Sequence, residues 1–258
     1  MGKKIQKEMN AQKQRFINGC LKKDITSNEA HTIFELLSKF ADYGFNKSHA
    51  AAYAVIAFQT AYLKTHYPIE FFAASMSLDI NNTDKISIFQ QELMRLKIKL
   101  APPSVNYSGP NFLRNNDSIL YALGAIKNVG IESMKDLYNE RNKNGNFNDL
   151  NDFINRNNTS VINKKTIEAL ACAGAFDEFN VSRAAVFNQA SEIVKYHKSK
   201  NSNSIDLQKD MFGDMNISSF KLTEEEEWKS NYKLMKEYEM LGFYLSGHPL
   251  STLSLIHI

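Results

Sequence analysis

Cysteine, proline and tryptophan are scarce: two, five and one among 258 residues. Cys20 and Cys172 stand alone, with no partners at metal-ligand spacing. That excludes a cysteine zinc site and a disulfide framework, and leaves two reduced cytosolic thiols as the expectation. No apolar run is long enough to cross a bilayer. Met1-Gly2-Lys3-Lys4 continues into charge, so the start is not expected to be a signal peptide, and a cytoplasmic location is expected. There is no internal repeat of fixed period.

The formal net charge is only +3, from 31 basic and 28 acidic residues. A polyanionic partner cannot be argued from the total. The distribution says more, because an acidic run occupies Glu224–Glu227 while Lys and Arg recur near the glycine-bearing turns. An apolar share of 43% fits a globular, soluble chain.

The first hundred residues are predicted to be helical. Thr26-Ser27-Asn28-Glu29 has the form of a capping box, and Ile33, Phe34, Leu36, Leu37 and Phe40 mark one face of the helix that follows. Gly44 can end that helix. Ser48 opens the next, which runs to about Thr65; being apolar on most sides, it is expected to be buried. Pro68 suits the first turn of another helix, carrying Phe71, Phe72 and Met76. A fourth covers roughly Lys85–Ile98. Pro102-Pro103 interrupts the pattern, and Asn106–Tyr121 is expected to hold a small β-hairpin. Short helices are predicted over Ile131–Arg141, Leu150–Asn155 and Lys164–Ala173, then a longer one after Ser182 fading near Lys200. Lys198–Ser219 has linker composition. A last helix is predicted over Glu224–Met240, stopping at Gly242.

Two turns have the chemistry of a backbone-phosphate contact. In Leu123-Gly124-Ala125-Ile126-Lys127-Asn128-Val129-Gly130-Ile131 a tight turn opens directly into a helix. Amides at such a start lack intrahelical partners and favour an anion, and Lys127 adds a charge. Contacts of this kind hold a duplex without reading its sequence. A second unit begins at Asn163-Lys164-Lys165-Thr166 and turns at Ala173-Gly174-Ala175. The alternative for either is a plain helix cap. Tyr43-Gly44-Phe45-Asn46-Lys47-Ser48-His49 gathers groups that suit a nucleoside triphosphate, the alternative being a cap with a solvated lysine.

The stretch Phe40–Tyr53, continuing through Tyr62-Leu63-Lys64-Thr65-His66-Tyr67-Pro68-Ile69-Glu70-Phe71, resembles the fingers signature of the bacterial DNA polymerase III alpha subunits, the C-family polymerases. Tyr121–Gly130 is similar to that family's first helix-hairpin-helix and Ala169–Asp177 to its second. Gln208-Lys209-Asp210-Met211-Phe212 resembles its sliding-clamp peptide, and Tyr238–Leu250 the segment leading to its OB domain. One departure is Asn128-Val129-Gly130, where the family commonly has Gly-Val-Gly; asparagine tolerates left-handed dihedrals, so the turn should survive.

The resemblance implies a mainly α chain. The C-terminal part of the fingers would span 1–105 and a tandem helix-hairpin-helix module 106–197. A flexible linker with the clamp peptide would follow at 198–222, then a helix at 223–252 leading toward an OB domain. It implies template-directed DNA synthesis with magnesium held by palm aspartates, two of them in an Asp-x-Asp pair. This sequence has no Asp-x-Asp, so the ligands are expected outside it and this segment alone is expected to be inactive. By resemblance, Tyr43, Asn46, Lys47 and His49 face the incoming deoxynucleoside triphosphate. Lys127, Asn128, Gly130, Lys164, Lys165 and Gly174 contact primer-template duplex, and Gln208, Met211 and Phe212 bind the sliding clamp. Further polymerase III holoenzyme subunits are implied partners. Leu253–Ile258 departs from the family and is expected to be sequencing-adapter read-through. Two other classes compete: a non-catalytic helix-hairpin-helix adapter that recruits the clamp, and a repair nuclease or helicase accessory. The last is disfavoured because the sequence has neither a P-loop nor a metal-binding carboxylate cluster.

Overall fold

Thr26 and Glu29 begin the second helix reciprocally. The Thr26 amide donates to the Glu29 carboxylate at 3.1 Å and the Glu29 amide to the Thr26 hydroxyl at 3.4 Å, as the capping-box pattern predicts. The protein is described here from a computed structural model over residues 6–42, 47–203 and 219–252. The chain divides into two units between Thr65 and His66.

In the first unit, α1 (Gln6–Leu21) pairs with α2 (Ser27–Asp42) around Ile17, Cys20 and Ala30. Phe16 and Phe34 meet with ring centroids 5.6 Å apart. Of the predicted α2 face, Phe34 is buried, whereas Ile33 and Leu36 are exposed: two paired helices cover only one narrow stripe. Helix α3 (Lys47–His66) forms as predicted but is not buried. Tyr53 is 59% and Phe58 70% exposed. A helix that is apolar all round needs partners on several sides, and the described residues of this unit do not surround it.

The second unit carries α4 (Pro68–Leu78), with Pro68 in its first turn, and α5 (Thr83–Arg95), capped by the Asn82 side chain. The predicted hairpin is present as β2 (Leu113–Asn115) and β3 (Ser118–Leu120), turning through Asn116 in the left-handed region. A strand the pattern did not reveal, β1 (Lys99–Ala101), pairs parallel to β3, giving the order β1-β3-β2.

Then follow α6 (Ile131–Asn144), α7 (Leu150–Arg156), α8 (Lys164–Ala173), α9 (Arg183–Asn188), α10 (Ala190–Asn203) and α11 (Ser230–Leu241). One continuous core joins Phe72 and Met76 of α4 to Ile119, Leu137, Phe153 and Leu170. Buried Arg141 of α6 holds the Val105–Ser108 loop by donating to the carbonyls of Val105 (2.7 Å) and Ser108 (2.8 Å).

Two predicted helices differ in extent. The one after Ser182 breaks at Gln189, whose amide side chain is drawn sideways to Thr223. The last begins at Ser230 rather than Glu224, because the Glu225 and Glu227 carboxylates are used across the chain. Residues 219–229 instead run as a strap without regular secondary structure. Phe220 and Leu222 pack against the core, and Gln189 and Thr223 exchange hydrogen bonds of 2.8 and 2.9 Å.

Candidate nucleic-acid interface

The first predicted bend exists. A single 3-10 turn over Leu123–Ala125 is followed by Asn128 at φ 67°, then Val129, then Gly130 as the extended cap of α6. Asparagine thus takes the left-handed conformation that Gly-Val-Gly would supply, as expected. No side chain caps α6, so its first amides face outward with the positive helix end behind them. The Lys127 amide, by contrast, donates to the Met240 carbonyl at 3.1 Å. Lys127 can therefore offer only its exposed ammonium to a phosphate. Glu132 in the first turn is paired with Lys135 at 2.7 Å, which offsets its charge.

A second bend with the same left-handed Asn, Val and extended cap lies where the sequence did not place it. A 3-10 turn over Asp177–Phe179 leads to Asn180 at φ 54°, then Val181, then Ser182 as the extended cap of α9. Val129 and Val181 both pack against the core. The signal was in the sequence: Asn-Val followed by a small residue, twice, each time before a helix.

Gly174 is therefore not the tip of the second bend. It is the left-handed cap of α8, at φ 81°, and its amide donates to the Ala171 and Leu170 carbonyls. A Cβ there would overlap the Arg183 guanidinium. Neither a free amide nor open space remains for a phosphate, so the expected contact at Gly174 is withdrawn. Lys164 and Lys165 are exposed at the opposite end of α8, about 15 Å away along a ten-residue helix. Lys164 lies 3.7 Å from Glu168.

Arg183 organises this region. It is 5% exposed and lies 2.8 Å from Asp177 and 3.7 Å from Glu237, itself 2% exposed. Glu237 also accepts from the Leu245 and Ser246 amides at 2.7 and 2.8 Å. The second bend is thereby locked to α11 and to the segment beyond it.

A family model for the helix-hairpin-helix motif matches residues 97–186. DNA polymerase III subunit alpha of Caulobacter vibrioides is 46% identical over 97% of this chain. Those of Campylobacter jejuni and Escherichia coli are 42% and 39% identical over the same share. The chain is homologous to DNA polymerase III alpha subunits. It spans about a fifth of the length of these curated relatives, 21–22%.

Of the other residues singled out from the resemblance to polymerase III alpha, Tyr43 and Asn46 lie outside the described residues, as do Gln208, Met211 and Phe212. Lys47 is described only as the first residue of α3. His49 is exposed, its ring edge-on to Tyr53 at 4.4 Å. Cys20 and Cys172 are buried free thiols, and burial pushes Cys172 up to about 12, which makes it a packing residue rather than a nucleophile. Among the described residues, no helix is long and apolar enough to cross a membrane.

Proposed function

We propose that this chain is the segment of a replicative DNA polymerase that holds primer-template duplex by its phosphates. The observation that carries this is the first bend: left-handed Asn128, an uncapped α6 start at Gly130 and exposed Lys127 within four residues. Outward amides at a positive helix end, with one mobile cation beside them, favour a phosphate oxygen and ignore base identity. The helix-hairpin-helix match over 97–186 supports the same assignment.

In the longer protein the reaction is addition of deoxynucleotides to a primer 3′ end. Magnesium there would activate the attacking oxygen and stabilise the leaving pyrophosphate, held by carboxylates outside this chain. This segment alone supplies grip rather than chemistry. Tyr43, Asn46, Lys47 and His49 face the incoming triphosphate, and Lys164 and Lys165 add charge toward the duplex. Gln208, Met211 and Phe212 tether the enzyme to the sliding clamp within a polymerase III holoenzyme in the cytoplasm. A tethered peptide raises local concentration on DNA and so processivity.

The test is a salt titration of duplex binding by the whole chain. Log affinity should fall linearly with log salt and be indifferent to sequence; a salt-insensitive, sequence-selective result would refute phosphate gripping. For the tether, Phe212→Ala should weaken binding to the cognate clamp by surface plasmon resonance, and unchanged binding removes that assignment.

A further inference from the structure

The two bends share a left-handed Asn, a Val and an extended helix cap, but not their surroundings. At the first, the start of α6 has no side-chain cap. At the second, the chain fills the corresponding place itself. The Ser182 hydroxyl accepts from the Ala185 amide at 3.2 Å. The Glu227 carboxylate accepts from the amides of Arg183 at 3.2 Å and Ala184 at 3.3 Å. A carboxylate bridging two helix-start amides sits where a phosphate would.

Glu227 is not there loosely. Lys233 backs it at 3.2 Å, and the strap that carries it is fastened upstream by the Gln189–Thr223 clasp and by Asn188 donating to Glu225. Asp177, beside Arg183, adds another carboxylate to the second bend. A phosphate arriving there would meet amides already occupied by Glu227, whose charge Lys233 balances as Lys135 balances that of Glu132 at the first bend; at the first bend it meets open amides and the exposed Lys127.

We propose that the tandem module grips duplex asymmetrically: the first bend takes the phosphate, and the second is closed by Glu227 and serves as scaffold. The proposal rests on the duplex-binding function above and goes beyond it by removing one of the two expected contacts.

A carboxylate can be placed at the same backbone position of each bend. Gly130 and Ser182 are both extended caps, where aspartate is well accepted, and a Cβ at Gly130 meets only the Ser133 hydroxyl at an ordinary 3.5 Å. The full chain and its G130D, S182D and S182A variants are titrated against a duplex of about 20 base pairs by fluorescence anisotropy across a salt series. G130D, with its melting temperature kept, should lose about tenfold or more in affinity and lower the salt slope by about one. S182A and S182D should stay within about twofold. A loss in S182D matching that in G130D, with the melting temperature kept, overturns the asymmetry and leaves duplex gripping intact. No loss in G130D overturns both.

Discussion

The Arg183 guanidinium packs over Gly174, the left-handed cap of α8, and donates to the Cys172 carbonyl at 3.3 Å. One residue ends a helix while the other starts α9, and their contact sets how the second bend leaves α8. Gly174→Ala should therefore be costly twice over, through the left-handed backbone and through displacement of a buried ion pair. A loss of about 3 kcal/mol is expected in urea unfolding, and an unchanged midpoint would contradict the packing.

Arg183→Met should cost about 3 kcal/mol, because it leaves Glu237 buried without its cation. Adding Glu237→Gln to that variant should restore part of the loss. The double-mutant cycle reads the coupling directly, and strictly additive effects would show that the two side chains do not interact.

Asn128→Gly should keep both stability and duplex binding, since glycine takes the left-handed conformation without strain. Asn128→Val should lose about 1–2 kcal/mol, because a β-branched side chain resists that backbone. Equal midpoints for the two variants would show that the bend is not held in the form described.

The strap should loosen in acid. Partial burial pushes the Glu227 carboxyl up, but hydrogen bonds from the Trp228 and Arg183 amides and from Lys233, with the charge of Lys233, hold it below the ordinary carboxylate range. A pKa lower in the folded than in the unfolded state means that folding releases a proton. The stabilisation is then complete above the unfolded carboxylate value and is lost as pH falls through the folded one. Thermal unfolding followed from neutral pH into that window should show this loss, and Glu227→Gln should flatten it. Parallel curves for the two proteins would exclude Glu227 as the source.

Helix α3 offers a cheap control on burial. Phe58→Glu should change stability by no more than about 0.5 kcal/mol, because the residue is 70% exposed. The same change should reduce binding of a hydrophobic dye by removing part of an exposed apolar surface. A large loss of stability would mean that α3 is covered in the folded chain.

Whatever depends on neighbours along the chain was legible in the residues alone. The Thr26–Glu29 capping box, Pro68 opening α4, the Asn116 hairpin, the bounds of α8 and the left-handed Asn128 all follow from local sterics and local hydrogen bonding, which residue types encode directly. Whatever depends on distant partners emerged only on folding. The parallel strand β1 needed β3 to exist. The acidic run at Glu224–Glu227 looks like a helix start until its carboxylates find Asn188, Arg183 and Ala184. The burial of Gly174 and the occupied second bend come from Arg183 and Glu227, residues whose roles are fixed by folding geometry and not by sequence spacing.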